Sequence, residues 1–568
     1  MTALMFGGTF RYDYRRPNYA GNDRLIFSKG HASPLFYALW ATAGAIKDKE
    51  LLTYRQFGSR LEGHPRPNFP YAEAATGSLG QGLAIGYGIA KAAKLDKLPY
   101  RTYVLLGDSE CAEGSVWETA GLAGRERIPN LVAIVDVNRL GQRGQTMFGG
   151  DTGAYADRFK AFGWKTIEID GHDLEAAAKA FKQAAEATKP VAILAHTVKG
   201  KGIKFWENKE GWHGKPLPAE KLEEALRELG KANLKTTGHI TKPPRVVTPK
   251  RGSRRISPAP AYTKPTATRR AFGEALVRLG QARPDLVVLD AEVANSTYTD
   301  MFGKAFPERF VECYIAEQHM AGAAQGLSRR GHKPVAATFA AFLSRAHDQI
   351  RMGAYSGSDV TFAGSHAGVS IGADGPSQMG LEDLALFRGI NDSIVFYPSD
   401  AVSTEILTEL AVGYRGTSYL RLTRADTPIL YKPGTSFRIG GSHVLRRSPR
   451  DRVAVVSAGI TLHEALAAAD ELAANGLHVR VVDLYSIKPL DLPTLRRVAR
   501  ETKAIITVED HTAAGGIGEA VSAALSAEKT RVIPLTVHKT PGSGTPELLM
   551  RSQGIDRQSI VRKIRSII

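Results

Sequence analysis

Short apolar runs that stop at polar residues recur along this chain, with helix-compatible stretches between them. Tyr103 to Leu106 is such a run, and it breaks at Gly107-Asp108-Ser109. A second, Leu131 to Val135, ends at Asp136-Val137-Asn138. Two buried strands with a helix between them make the βαβ unit of a parallel sheet. Val191 to Ala195 predicts another buried strand, whereas residues 1–27 read as helical and then irregular, and an apolar helix is predicted around Leu35 to Ala45. Leu286 to Leu289, Val335 to Thr338, Val360 to Ala363 and Ile394 to Phe396 predict the strands of a second unit. Residues 453–459, 479–484, 504–510 and 531–537 predict a third, separated by helices such as TLHEALAAADELAANG. Between the first two units the periodicity fades into a stretch rich in Pro, Lys, Arg and Thr, which predicts a solvated linker. The expected fold class is α/β, with three consecutive α/β domains of mostly parallel sheet. Their expected bounds are 1–234, 268–431 and 432–568, with a basic Pro-rich linker at 235–267.

Composition narrows the class. A chain of 568 residues exceeds what one core organises, and 43% apolar with 23% charged residues is the balance of a globular protein. No run of eighteen apolar residues predicts a membrane span, and the N-terminus lacks the pattern of a secretory signal. Cys111 and Cys313 alone cannot build a disulfide framework, which favours a reducing, cytoplasmic setting. A formal charge of +18 admits nucleic-acid or membrane binding, or an enzyme for anionic substrates. Without a nucleic-acid motif, and with much of the excess in the linker, neither a nucleic acid nor a membrane is the expected partner.

The candidate chemistry begins at strand ends. Ligands of parallel sheets bind beyond the carboxyl ends of the strands, where Asp108 and Asn138 fall. Their hard oxygens suit Mg²⁺ or Ca²⁺ that also holds phosphate, although two ordinary strand ends would read the same. Thr76 to Gly88, TGSLGQGLAIGYG, is either a closely packed helix or a backbone passing near a cofactor. His31 in SKGHAS could simply start a helix, and His64 lies in the Pro-rich EGHPRPN. Lys199 and His213 lie in Gly-rich loop sequence, where function concentrates.

GDSECAEGSVWE and DVNRLGQ together resemble the thiamine-diphosphate motif: Gly-Asp-Gly, about thirty residues, then an Asn turn. With SKGHAS, WHGKP, GSHAG and SIGADGPSQM, the chain resembles transketolases over essentially its whole length. The resemblance implies two thiamine-diphosphate-binding folds, then a smaller C-terminal α/β domain. It implies Mg²⁺ on Asp108, Asn138 and the Leu140 carbonyl, with Gly107 and Ser109 beside the diphosphate. Ser109 departs from the family's third glycine. Gly77 is implied near the diphosphate, Leu79 against the thiazolium, and Lys199 and His213 near the cofactor. Glu317, in CYIAEQ, is implied as the acid that activates the aminopyrimidine, and Phe339 and Phe342 as the aromatics that hold it. His31, His64 and His213 are implied in proton transfer, with His31 and His213 also contacting substrate.

A phosphorylated sugar needs fixed cations and hydroxyls. Arg269, Ser296, His366 and Arg421 are similar to the family's phosphate contacts, with the register between Arg269 and Arg270 open. Asp374 matches a carboxylate that binds a sugar hydroxyl, and Gln378 is near it. The implied reaction is ketol transfer between sugar phosphates in the pentose phosphate pathway, by a homodimer with active sites at the subunit interface. A deoxyxylulose-phosphate or dihydroxyacetone synthase would share the metal motif and the activating Glu, but GSHAG, SIGADGPSQM and WHGKP speak for transketolase. Met1 falls inside what resembles the family's first long helix. A preceding Gly-His-Pro segment is therefore expected to be missing, which leaves an active and an impaired enzyme both open.

Overall fold

The apolar runs become strands, and most of them are buried along their whole length. The computed structural model describes residues 1–568 except Ala232, Leu234, Lys235, Pro249, Lys250 and Ser253. Packing divides the chain into two units: 1–250 with 321–330 and 355–357, and 251–320 with 331–354 and 358–568.

In the first unit, β1 (Arg24–Phe27), β2 (Thr102–Gly107), β3 (Leu131–Val137), β4 (Lys165–Asp170) and β5 (Val191–His196) form a parallel sheet. Its strand order is β1-β2-β3-β5-β4. All six residues of β2 are buried, as expected where both faces of a parallel sheet are covered. Burying Val104, Leu106, Val132 or Ile134 contributes about 1.5–3 kcal/mol each. The β2 and β3 registers set Gly107 opposite Asp136, so Asp108 and Asn138 leave the sheet side by side at its carboxyl edge. The helix Gly82–Leu95 covers β2 and packs backbone to backbone against the segment after residue 321. A Cβ on Gly88 would fall 2.1 Å from the Ala323 carbonyl oxygen, and one on Gly326 the same distance from that of Ile85. The later glycines of TGSLGQGLAIGYG therefore serve packing, while Gly77 and Gly80 lie before the helix in a loop.

The stretch expected to be a solvated linker opens at a boundary, Leu234 and Lys235, that lies outside the described residues. Most of its described residues are exposed, and it is anchored at a few points. Ile240 is buried in the first unit's core, and Tyr12 donates its N–H to the Thr241 carbonyl at 2.8 Å. In the second unit, the Tyr262 hydroxyl bonds Glu274 and Glu405.

The second unit contains two large sheets and a ribbon of β6 (Thr266–Ala267) with β13 (Asp426–Thr427). The first sheet holds β7 (Leu286–Asp290), β8 (Phe310–Glu312), β9 (Lys333–Phe339), β10 (Val360–Ser365), β11 (Ile394–Phe396), β12 (Thr417–Arg421) and β17 (Ser486–Lys488). Its order is β17-β11-β12-β10-β9-β7-β8, parallel except at β17. The second sheet holds β14 (His443–Arg446), β15 (Val453–Ser457), β16 (Arg480–Asp483), β18 (Ala504–Thr512) and β19 (Arg531–Val537). Its order is β14-β16-β15-β18-β19, parallel except at β14. The fold is thus α/β with mostly parallel sheets, as expected. Among the described residues, no helix is long and apolar enough to cross a membrane.

Candidate active site

The turn after β3 folds back onto the end of β2. Arg139 adopts a left-handed conformation (φ 59°), which bends DVNRLGQ so that its amides turn inward. Asp108 is 4% exposed, and its Oδ2 accepts N–H bonds from Asn138 at 3.0 Å and Arg139 at 2.8 Å. Its Oδ1 accepts the Ser109 N–H at 2.8 Å. Asn138 Oδ1 accepts the Leu140 N–H at 3.1 Å, and the Leu140 carbonyl accepts a bond from Lys199 Nζ at 3.3 Å. Asp108, Asn138 and Leu140 are therefore brought together, with one carboxylate, one amide oxygen and one carbonyl as hard donors.

Around this turn the positive and imidazole groups gather. Lys199 Nζ lies 3.0 Å from His213 Nδ1, and the His213 and His31 rings are 4.7 Å apart. His64 packs against Gly77, where an added Cβ would meet its ring at 2.8 Å. Gly77 has φ 122°, so the close approach and the backbone conformation both demand glycine. Burial, then the charges of Lys29, His213, Lys199 and His64, push His31 down to about 3. Burial lowers His64 and His213 too, helped respectively by Arg55 and by Lys199 with Lys29. Lys199 is also lowered, by burial and then by Lys29. Leu79 is half-buried in the same glycine loop, and Ser109 is exposed beside Asp108.

Two residues of this half carry roles that the sequence did not assign. Lys29, within SKGHAS, bonds Asp136 at 2.5 Å. Burial raises the Asp136 carboxyl, but Lys29, Thr197 and Asn138 outweigh it and hold it down at about 2. Glu110, within GDSE, is buried and ties three segments together. It accepts N–H bonds from Gly80 at 2.9 Å and Gly107 at 3.0 Å, and a hydroxyl bond from Ser28. The signal for both was their place inside quoted motifs, but apart from Gly107 their partners lie far away in sequence.

The residues present suit a metal-held diphosphate. The donors are all oxygens, the nearby Asp136 carboxylate is paired with Lys29, and the buried Thr76 hydroxyl beside Gly77 has no hydrogen-bond partner among the described residues. A buried hydroxyl of this kind suits a polar ligand.

The second unit carries the other set. Glu317 opens the helix Glu317–Arg329 and is 4% exposed. Phe339 ends β9 and stacks on Phe342 (5.4 Å, 11°) and on His366 (3.8 Å, 18°). The Arg269 guanidinium donates to the Ser296 carbonyl at 2.7 Å and the Arg424 carbonyl at 3.3 Å, whereas Arg270 turns to Glu274. Arg269 is therefore the member of the pair that faces Ser296. Asp374 pairs with Arg424 at 3.1 Å. Burial, then Arg269 and Arg424, lower His366 to about 3. Gln378 is half-buried in the loop that carries His366 and Asp374.

Arg421 requires correction as a phosphate contact. It is fully buried, with its guanidinium bonded to Asp383 at 2.9 Å and Asp510 at 2.6 Å. The arginine beside Arg269, Asp374 and His366 is Arg424, three residues on. Strand position was the missed signal: Arg421 lies within a doubly covered strand, and Arg424 lies past its carboxyl end.

Comparison with known proteins gives one answer. Residues 1–240 match "Transketolase, thiamine diphosphate binding domain", 264–429 match "Transketolase, pyrimidine binding domain", and 442–560 match "Transketolase, C-terminal domain". The chain is 46% identical to human transketolase over 574 residues, covering 100% of this chain and 92% of that protein. It is equally 46% identical to mouse transketolase-like protein 2 over 576 residues, with the same coverage. The transketolase structure from Campylobacter jejuni superposes with a TM-score of 0.83 at 25% identity, covering 98% of this chain and 93% of that one. The transketolase from Leishmania mexicana shares the fold, with a TM-score of 0.86 at 23% identity and coverage of 100% and 92%. On identity that runs the length of the sequence, the chain belongs to the transketolase family of thiamine-diphosphate-dependent enzymes.

Proposed function

We propose that this enzyme moves a two-carbon ketol unit from a ketose phosphate to an aldose phosphate in the pentose phosphate pathway, as a cytoplasmic homodimer. The observation that carries the reading is the turn joining Asp108, Asn138 and Leu140, which offers three oxygen donors next to Lys199 and His213. In this reading they hold Mg²⁺ (or Ca²⁺) and, through it, the diphosphate. Gly77 allows close approach of that group, Leu79 offers an apolar contact, and Gly107 and Ser109 complete the strand end. Bound thiamine diphosphate supplies the carbon nucleophile that breaks and remakes a bond beside a carbonyl.

The side chains bind, orient and move protons. Glu317 holds a proton at the pyrimidine ring nitrogen, and Phe339 with Phe342 gives that ring an aromatic face. His31, His64 and His213, all favoured as neutral imidazoles, exchange protons with the sugar's oxygens. Arg269 and Arg424 match the charge of a phosphate, with Ser296 and His366 as neutral contacts. Asp374 and Gln378 bind sugar hydroxyls.

The test is transfer from xylulose 5-phosphate to ribose 5-phosphate, with and without thiamine diphosphate and Mg²⁺. Turnover that needs both supports the reading. Turnover with pyruvate as the only competent donor, or none with saturating cofactor, overturns it.

A further inference from the structure

The 366–380 loop carries His366, Asp374 and Gln378, yet its only regular structure is two single 3-10 turns, Val369–Ile371 and Pro376–Gln378. His366, Gly368, Gly372 and Gly375 all have positive φ, at 59°, 72°, 89° and 83°. That conformation is sterically costly for His366, so the loop keeps its shape only if its surroundings impose it.

A buried brace lies behind the loop. Arg421, at the end of β12, donates to Asp383 at 2.9 Å, to Asp510 Oδ1 at 2.6 Å and to the Gly380 carbonyl at 2.9 Å. The same Gly380 carbonyl accepts the Gly368 N–H at 2.8 Å, and the Gly380 N–H donates to the His366 carbonyl at 3.4 Å. Asp510 presses directly on the loop: a Cβ on Gly368 would fall 1.6 Å from its Oδ2. The Tyr397 hydroxyl holds the Asp510 carboxylate at 3.0 and 3.1 Å. Two residues on, Thr512 donates its N–H and hydroxyl to the Leu381 carbonyl at 3.0 and 3.1 Å. Asp510 and Thr512 both lie on β18, in the C-terminal sheet.

We propose that Arg421 and Asp510 are positioning residues through which the C-terminal domain sets the 366–380 loop and so the affinity for the sugar's phosphate. This rests on the proposed function, because it takes that loop as part of the phosphate site. Neither residue touches substrate. A strand of the C-terminal sheet acts through Arg421, Gly380 and Gly368 on His366.

The test compares kcat and KM for xylulose 5-phosphate and for unphosphorylated xylulose, using the holoenzyme with thiamine diphosphate and Mg²⁺. Asp510→Asn keeps the shape but weakens the pair with Arg421. It is expected to raise KM for the phosphorylated ketose about tenfold, with kcat and the unphosphorylated reaction within about twofold. Tyr397→Phe removes only the hydroxyl and is expected to move the same ratio in the same direction by about threefold. If Asp510→Asn does not fold, Tyr397→Phe decides alone. A purely structural ion pair would lower the melting temperature and leave the preference for the phosphorylated donor at its wild-type value; that result in the folded variants overturns the proposal. A wild-type enzyme with no preference for phosphate would overturn the phosphate-site reading itself, and this inference with it.

Discussion

The Asp108 carboxylate accepts the Asn138 backbone N–H at 3.0 Å from thirty positions along the chain. Two neighbouring strand ends are thereby locked into one turn, and the same carboxylate is the only anionic member of the proposed metal set. Asp108→Ala is expected to abolish Mg²⁺-dependent binding of thiamine diphosphate, read by calorimetric titration. It also leaves the Asn138 and Arg139 amides without their acceptor, at about 1–3 kcal/mol each. Asp108→Asn keeps one acceptor oxygen for the Asn138 and Arg139 amides and gives up only the one that meets the Ser109 N–H, so it should cost less stability than Asp108→Ala yet still lose the metal. Tight Mg²⁺-dependent binding by both variants would remove the metal assignment.

Glu317→Gln should behave differently. Glu317 is buried at the start of its helix and has no part in the metal turn, so Mg²⁺ and diphosphate binding should be nearly intact. Loss of its acidic proton should lower ketol transfer by roughly 10²–10⁴-fold, the usual contribution of a positioned acid or base. Single-turnover kinetics at saturating cofactor make the measurement, and wild-type rates would take Glu317 out of its role.

The legible parts of the fold were the strands buried by apolar side chains. Leu131–Val137, Val191–His196 and Ile394–Phe396 announce themselves by composition. β4, KTIEID, did not, because it is an edge strand whose positions are mostly half-exposed. β12, TSYLR, did not either, although all five residues are buried. Its polar groups are satisfied by distant partners: Ser418 bonds Thr361, and Arg421 bonds Asp383 and Asp510. Such pairings leave no trace in local sequence. They explain why the buried arginine was read as the exposed one, and why Lys29, whose partner Asp136 is 107 residues away, stayed unassigned.

Arg424 and Arg421, three residues apart, should differ in what their loss costs the fold. Arg424 is 43% exposed and paired with an Asp374 that is 45% exposed, so the pair adds little to stability. Arg424→Gln should leave the melting temperature almost unchanged and raise KM for the ketose phosphate about tenfold or more. Arg421→Gln would leave Asp383 and Asp510 buried without their cation, a loss of about 3–5 kcal/mol. Thermal melts alongside the kinetics separate them, and a folded, phosphate-blind Arg421→Gln with an unaffected Arg424→Gln would reverse the assignment.

The pH dependence of two histidines follows from their surroundings. His31 and His366 are both lowered to about 3, by burial and then by neighbouring cations. From pH 6.5 down to about 3 the unfolded chain binds a proton at each that the folded chain refuses, so these sites favour the folded state less as pH falls. Their neutral form persists at every higher pH. The free enzyme's kcat/KM should therefore show no ionisation between pH 6 and 7 from either ring, and NMR of the imidazole protons should show none. A titration near 6.5 in either ring would contradict the environment described here.

Asp483 carries the opposite sign. It is fully buried between Tyr431, whose hydroxyl donates at 2.6 Å, and Ser399, which donates at 3.1 Å. Burial raises its carboxyl to about 7 despite those two bonds, and the nearby Asp400 charge adds to the rise. Between the ordinary carboxylate range near 4 and about 7, the folded chain holds a proton that the unfolded chain has released. That contribution to stability is complete below the lower value and is lost as pH rises to the upper one. Asp483→Asn removes the ionisation while keeping the shape, and both partners are hydroxyls that can accept as well as donate. The melting temperature of the variant relative to wild type should therefore climb from pH 5 to pH 8 and then level. A difference that stays flat across this range would mean that Asp483 is already ionised in the folded protein at pH 5, and that Tyr431 and Ser399 offset its burial in full.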